Sequence, residues 1–312
     1  MGITATQRAE RTQYIGASDA AAVLGLSRWS SPLQVWAEKT GAVTAQDKSA
    51  EFAVRLGTVL EDDVCELYEA ETGRKVHHEP RTLRHPVYPF LAVNLDGRLD
   101  KYTDFEAKTA AYVKADEWAE DEIPPEYILQ GFHSMAVTGK PKHAIACLLL
   151  GGGTAVLVHK EFVRDDEIIE EMVKREVKFW REFVEPRRRP TEVKPHDGDI
   201  LFRLFPREDN GAPIALDDDA DKLADARDAM LQDKRALNRQ IDKMSNELRA
   251  ILGEHSWGKT ARFKVSWRNE DTVELDTKAL KKAMPEVYEK FVQRTPKRVL
   301  RVTKRRLARS RR

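Results

Sequence analysis

Asp96, Glu106 and Lys108 carry the plainest chemical signal in this 312-residue chain. Glu106 and Lys108 stand two apart in Phe105-Glu106-Ala107-Lys108, which reads as a strand. Both side chains therefore leave one face while Phe105 and Ala107 leave the other. Asp96 lies on the preceding extended segment, next to Gly97. If these segments pair, two carboxylates and an ammonium converge. Paired carboxylate oxygens suit Mg²⁺, with Mn²⁺ an expected substitute, because such ions take carboxylates, waters and substrate phosphates in an octahedron. A lysine beside the metal water can orient it or help deprotonate it for attack on phosphorus. The same residues also fit an exposed strand with an ordinary cross-strand ion pair, since 34% of the chain is charged.

The flanks add further segments. Arg11 and Ser18 form R-x6-S around YIGASDAAAVLG. SPLQVWAEKTG follows at 31–41, RLGTVLEDDVCELYEAETG at 55–73, NLDG at 94–97, FEAK at 105–108 and YILQGFHSMAVTGK at 127–140. In this order and at these separations, from about Arg11 to Trp180, the segments resemble the YqaJ-type viral recombinases. That is the phage exonuclease family related to lambda exonuclease, within the PD-(D/E)XK nuclease superfamily. The resemblance implies an α/β (α+β) restriction-endonuclease-like core, a central mixed sheet flanked by helices.

It also implies roles. Glu61, in G-x3-E from Gly57, matches the helical acid that completes the metal site. Asp96 and Glu106 match the principal metal ligands, with the Ala107 carbonyl as a further one, and Lys108 matches the lysine that handles the water. Gln130, three after Tyr127, matches the Y-x2-Q element beside the active site. Read alone, Glu61 is one acid in a run with Asp62 and Asp63, Gln130 is a helix residue and Tyr127 a core aromatic. Arg11 and Ser18 match a pocket for a terminal 5′-phosphate, where a guanidinium binds two oxygens and a hydroxyl a third. Ser18 is also placed to cap a helix. Asn94 stands where the lambda enzyme has a serine, and its amide can still donate.

The activity implied is Mg²⁺-dependent hydrolysis of DNA from double-stranded ends, 5′ to 3′, exposing a 3′ strand for recombination. An endonuclease of the same superfamily and an inactive DNA-binding scaffold are the alternatives. A single-strand annealing protein and a ring-like homotrimer are the partners the resemblance suggests, in a bacterial cytoplasm, with the protein encoded by a phage or prophage.

The elements that must position these groups follow from the periodicity. Ser18 to Leu24 and Pro32 to about Lys39 read as short helices, the second with a Ser31 cap and an N1 proline. Val54, Leu60, Val64, Leu67 and Tyr68 mark a helix over 50–72 that ends at Gly73. Residues 89–110 read as a hairpin or meander turning near Thr103-Asp104. A helix over 126–138, strands at 143–150 and 155–162, and a helix over 165–184 complete an α/β or α+β domain. Lys174, Arg175, Lys178 and Arg181, with Glu170, Glu171, Glu176 and Glu182, read as a solvated face, with a phosphate track as the alternative. Trp29 and Trp36 could stack on bases but read as core, and the histidines read as surface or packing residues without metal-ligand spacing.

Pro186, Pro190, Pro195 and Pro206 suggest a boundary, giving a nuclease-like domain at 1–205, an extension at 206–296 and a basic tail at 297–312. Leu216, Leu223, Met230, Leu237, Met244 and Ile251 recur every seven residues along a helix over 216–252, which is either a coiled coil or a helix packed along its own domain. A hairpin over 261–276 and a helix over 277–294 interrupted near Pro285 follow. The chain's formal net charge of +1 conceals segregation: residues 297–312 hold nine basic and no acidic residues, and subtracting these leaves −8. Such a tail suits the DNA backbone. Two cysteines are too few for a disulfide framework and favour a reducing compartment, and neither a signal core nor a membrane span of ~20 apolar residues is expected.

Overall fold

The structure is a computed structural model and describes residues 10–46, 51–120, 122–208, 211, 213–293 and 298–303. It divides into two compact units, Met1–Pro206 and Arg207–Arg312.

In the first unit a 3-10 turn, Arg11–Gln13, leads into β1 (Ile15–Gly16) and α1 (Ala17–Val23). The cap falls at Gly16, two residues earlier than the expected Ser18, so Ser18 sits inside the first turn and does not cap it. Asp19 does that work by accepting from the Gly16 N–H at 3.0 Å. For α2 (Pro32–Lys39), Ser31 Oγ accepts from Gln34 N at 3.0 Å, as its position predicts. The long helix is α3 (Phe52–Thr72), closed by Gly73 in the left-handed region at φ 71°, where a side chain is disfavoured.

Two mixed sheets follow. The smaller, ordered β1-β3-β2, joins β2 (Leu83–Arg84) and β3 (Leu91–Val93), with β1 parallel to β3. The larger runs β4 (Gly97–Arg98), β5 (Thr103–Ala111), β6 (Lys142–Gly151) and β7 (Thr154–Val163), with a parallel step from β5 to β6. The expected hairpin is thus divided between sheets. Its turn lies earlier than Thr103-Asp104, because Asp100 Oδ1 accepts from Tyr102 N at 2.7 Å and Leu99 N reaches Thr103 O at 3.0 Å. Asp104 is already inside β5, buried beside Thr138 and Lys140.

On one face of β5 and β6, Val64, Cys65 and Tyr68 of α3 pack against Phe105, Ala107, Ala144 and Ala146. Across the other face, Ile145, Cys147 and Leu149 meet Trp118, with Tyr127 alongside. Tyr127 belongs to α4 (Pro125–Thr138), the crossover between β5 and β6, whose Phe132, Met135 and Ala136 join Ile169 and Met172 of α5 (Asp166–Phe179). A π-helical turn, Trp180–Val184, continues α5.

Three further expectations change here. Glu176 leaves the solvated face of α5 and is fully buried against His133. Trp36 is core, its indole N–H donating to Phe183 O at 3.0 Å, whereas Trp29 is 51% exposed. The stretch beyond Glu185 is more than a bare linker, since α6 (Gly198–Leu204) buries Ile200 in the main cluster.

The second unit contains α7 (Asp218–Leu252), a hairpin of β8 (Trp257–Lys259) and β9 (Lys264–Ser266), and the short helices α8 (Thr277–Ala283) and α9 (Pro285–Phe291). The hairpin forms earlier than expected, because Thr260 Oγ1 accepts from Arg262 N and Phe263 N and makes the turn. The seven-residue stripe of α7 is exposed and only Leu252 is buried, so the helix does not lie packed along its own unit. Most of the basic tail falls outside the described residues. Among those described, no helix is long and apolar enough to cross a membrane.

Candidate active site at the edge of the mixed sheet

The site grows out of the alternation of β5. Phe105 and Ala107 point into the α3-facing core, which sends Glu106 and Lys108 out on the opposite face. There Lys108 Nζ pairs with Glu106 Oε1, and Gln130 Nε2, from α4, donates to the same oxygen at 2.5 Å. Lys108 Nζ also sits 5.6 Å from the centre of the Tyr127 ring.

Asp96 arrives at the sheet edge. The two-residue β4 pairs Gly97 with Phe105 and then stops, so the next N–H on that side of β5, that of Ala107, donates to Asp96 Oδ2 at 2.9 Å. The N–H and C=O of one strand residue leave on the same side, and the Ala107 carbonyl therefore faces the Asp96 side too. Gly97 has to be glycine for this approach, because an added Cβ would lie 2.5 Å from Val76 Cγ1 and 3.3 Å from His77 O.

Glu61 comes from α3, on the other face of β5. Gly57, one turn earlier, lets that helix lie close, since a Cβ there would meet Thr109 Oγ1 at 3.3 Å. Burial, with the carboxylates of Asp96 and Glu61 adding to it, pushes the Cys65 thiol up to about 12. Cys65 is thus a packing residue, not a nucleophile.

The electrostatics show a crowded acidic site. Burial first, then the Glu106 carboxylate and more weakly Glu61, raise the Asp96 carboxyl well above its usual range against the pull of Lys108. Burial alone would lower the Lys108 ammonium, but Glu106 and Asp96 outweigh it and hold the group above its ordinary value. Excess negative charge of this kind is what a cation relieves.

Among the described residues no three His, Cys, Asp or Glu side chains form a metal-holding group by themselves. The available donors are all oxygen: Asp96, Glu106 and the Ala107 carbonyl, with Glu61 acting on them through its field. Mg²⁺ characteristically uses one or two carboxylates and fills its octahedron with waters and phosphates, so this donor set fits such an ion.

The second group of predicted residues forms a separate cluster. Arg11 Nη2 donates to Ser18 Oγ at 2.7 Å and lies 3.8 Å from Asp19 Oδ1. Sequence reasoning missed two members. Lys39, nearly buried, bonds Asp19 Oδ2 at 2.6 Å and Arg11 O at 2.7 Å. Burial would raise the Asp19 carboxyl, but Lys39 and Arg11 outweigh it and keep it low. The Gly16-to-Asp19 spacing of a helix start was the available signal for Asp19; Lys39 had none. Asn94 is tied to the Tyr14 hydroxyl at 3.0 Å and to Thr82 at 2.7 Å, and Lys39 Nζ lies 5.7 Å from the Tyr14 ring centre.

A family model described as the YqaJ-like viral recombinase domain matches residues 8–141. "Uncharacterized protein YqaJ" of Bacillus subtilis (strain 168) is 30% identical over 289 residues, covering 92% of this chain and 90% of that protein. The chain belongs to the YqaJ family. Coverage that long takes in most of the second unit, so the YqaJ relationship extends beyond the nuclease-like core.

Among solved structures, an alkaline exonuclease from Laribacter hongkongensis is 24% identical, with a TM-score of 0.50, over 57% of this chain and 91% of its own. The same enzyme in complex with dAMP is 20% identical, with a TM-score of 0.48, over 62% and 94%. The first unit accordingly shares the fold of the alkaline exonuclease, mixed sheets flanked by helices.

Proposed function

We propose that this YqaJ-family chain is a metal-dependent deoxyribonuclease that degrades duplex DNA from its ends, 5′ to 3′, leaving 3′ single strands for phage-type recombination. The observation that carries this reading is the convergence of Asp96, Glu106 and Lys108 around the Ala107 peptide. The family description as a viral recombinase domain and the fold shared with an alkaline exonuclease support it.

Asp96, Glu106 and the Ala107 carbonyl would hold Mg²⁺ or Mn²⁺, which supplies Lewis-acid neutralisation of the scissile phosphate. The side chains divide the remaining work. Lys108, kept as an ammonium by Glu106 and Asp96, positions the attacking water by donating to it. Gln130 fixes Glu106 in its rotamer, and Glu61 adds negative field from α3. Arg11, with Ser18 and supported by Lys39 and Asp19, receives the terminal 5′-phosphate through charge-assisted hydrogen bonds. Anchoring a 5′ end sets the direction of digestion. A ring of copies around the duplex would keep successive cuts on one molecule, and a strand-annealing protein is the partner suited to the product.

Linear duplexes labelled separately at each end, with and without a 5′-phosphate, test the reading beside a covalently closed circle. Mg²⁺-dependent loss of the 5′ label first, with the circle untouched, is the expected result. Cleavage of the circle would favour an endonuclease, and release of no nucleotides at any Mg²⁺ or Mn²⁺ concentration would leave only a DNA-binding scaffold.

A further inference from the structure

Trp29 is the exposed end of an aromatic series that starts in the core. Trp118 is buried, its ring centre 5.5 Å from that of Tyr127; Tyr127 lies against Lys108 on one side, and its centre is 6.5 Å from that of Trp29. The fold leaves Trp29 51% exposed, although burying a large apolar side chain is worth about 1.5–3 kcal/mol.

The loop that presents it is pinned. Ser27 Oγ accepts from Trp29 N at 3.1 Å and Ser30 N at 3.2 Å. Arg28 forks onto Glu117 at 2.9 and 3.0 Å and onto Glu126 at 2.7 and 3.3 Å, fastening the loop to the 3-10 segment Tyr112–Trp118 and to α4. Two cations attend the indole: Arg28 Cζ at 5.1 Å and Lys114 Nζ at 5.5 Å from its centre. Arg28 is committed to its carboxylates, while Lys114 has no such fork and can move aside on its flexible stem.

We propose that Trp29 is a stacking platform for a nucleobase of DNA bound at the Glu106–Lys108 site. This rests on the reading of that site as a DNA site. A base stacks on an aromatic face whatever its identity, so Trp29 contributes affinity and strand placement without sequence preference. With a rise of roughly 3.4 Å per nucleotide in one strand, the short path from Lys108 through Tyr127 to Trp29 assigns that base to a nucleotide within about four of the reacting phosphate. The rigid loop means that little ordering opposes binding.

Full-length Glu106→Ala protein, expected to hold DNA without cutting it, allows binding to be measured alone. Its affinity for a 5′-phosphorylated duplex is compared with that of versions also carrying Trp29→Ala or Trp29→Phe, by fluorescence anisotropy. The same series is run on a duplex whose terminal nucleotides are abasic. Expected are a weakening on the order of ten-fold for Trp29→Ala and recovery to within about three-fold for Trp29→Phe, with the difference gone on abasic DNA. Unchanged affinity of Trp29→Ala overturns the proposal, as does a loss that persists on abasic DNA. If the protein with Glu106 intact releases no nucleotides, the nuclease reading fails on its own, because the binding comparison does not depend on cleavage.

Discussion

Gln130 reaches from α4 to Glu106 on β5, with 2.5 Å between Nε2 and Oε1. Lys108 bonds the same oxygen. The crossover helix thereby ties the orientation of a buried carboxylate on β5 to its own position.

Removing either charged member of this group should stop hydrolysis without unfolding the chain. Glu106→Ala and Lys108→Ala are expected to lower nucleotide release by about 10²–10⁴-fold, with thermal unfolding within a few degrees of the parent and DNA retained in a binding assay. Full activity in either purified variant refutes the assignment.

Gln130 acts through Glu106, so its loss should be milder. Gln130→Ala is expected to cost about 10–100-fold in activity, the range for partners that orient metal-binding side chains. It should also raise the Mg²⁺ concentration needed for half-maximal rate. Gln130→Glu sets a second carboxylate against Glu106 and should be worse than alanine. Equal activity of both variants would show that the bond does no positioning.

The Arg11–Ser18 pair should govern the choice of end. Arg11 is 37% exposed, and its removal leaves the Lys39–Asp19 pair in place, so Arg11→Ala should fold normally. Its preference for 5′-phosphorylated over 5′-hydroxyl ends should fall by about ten-fold or more, since a charge-assisted hydrogen bond is worth roughly 1.5–3 kcal/mol. Arg11→Lys keeps the charge but loses the fork, and should fall between. A variant with undiminished end preference would move the phosphate pocket elsewhere.

Much of this arrangement was legible in local chemistry. The period-two spacing of Glu106 and Lys108 placed them on one face, and the Gly73 and Gly139 stops marked the ends of α3 and α4. What failed was long-range. Nothing near Trp29 in sequence shows that Glu117 and Glu126 will hold its neighbour Arg28 and keep the indole outside. Nothing near Glu176 announces that His133, 43 residues earlier, will bury it. Leu91–Val93 reads as a partner for the following strand, yet pairs with β1 in a different sheet. Side-chain periodicity chooses a face, whereas partners are chosen by the packing of the whole unit.

Gly131 sits where α4 crosses the sheet. An added Cβ would meet His143 Cδ2 at 2.8 Å and press still harder on Phe162. Outside this position alanine would favour the helix. Here overpacking should dominate, and Gly131→Ala is expected to destabilise the protein by about 1–3 kcal/mol. The displaced helix also carries Gln130, so the activity remaining at low temperature should drop together with the melting point. A neutral or stabilising result would show that α4 is free to shift.

His143 should make stability depend on acid. It is buried, and neither ring nitrogen has a hydrogen-bond partner among the described residues. Burial, reinforced by the nearby Lys108 ammonium, pushes its pKa down to about 3 from the ordinary 6.5. Between those values the unfolded chain carries the proton and the folded chain does not, so folding stability is complete above about pH 6.5 and is lost as the pH falls toward 3. His133 runs the other way. Burial would lower it, but Glu176 outweighs this and raises it, so its contribution is present below about pH 6.5 and lost as the pH rises through the higher folded value. Replacing His143 by leucine should therefore remove the acid-side loss alone. Urea unfolding of the full chain is expected to show the gap between parent and His143→Leu moving by about 2–3 kcal/mol in favour of the variant from about pH 7.5 to 4.5. Parallel stability profiles would mean that His143 takes up its proton in the folded state, with water or a backbone carbonyl as its partner.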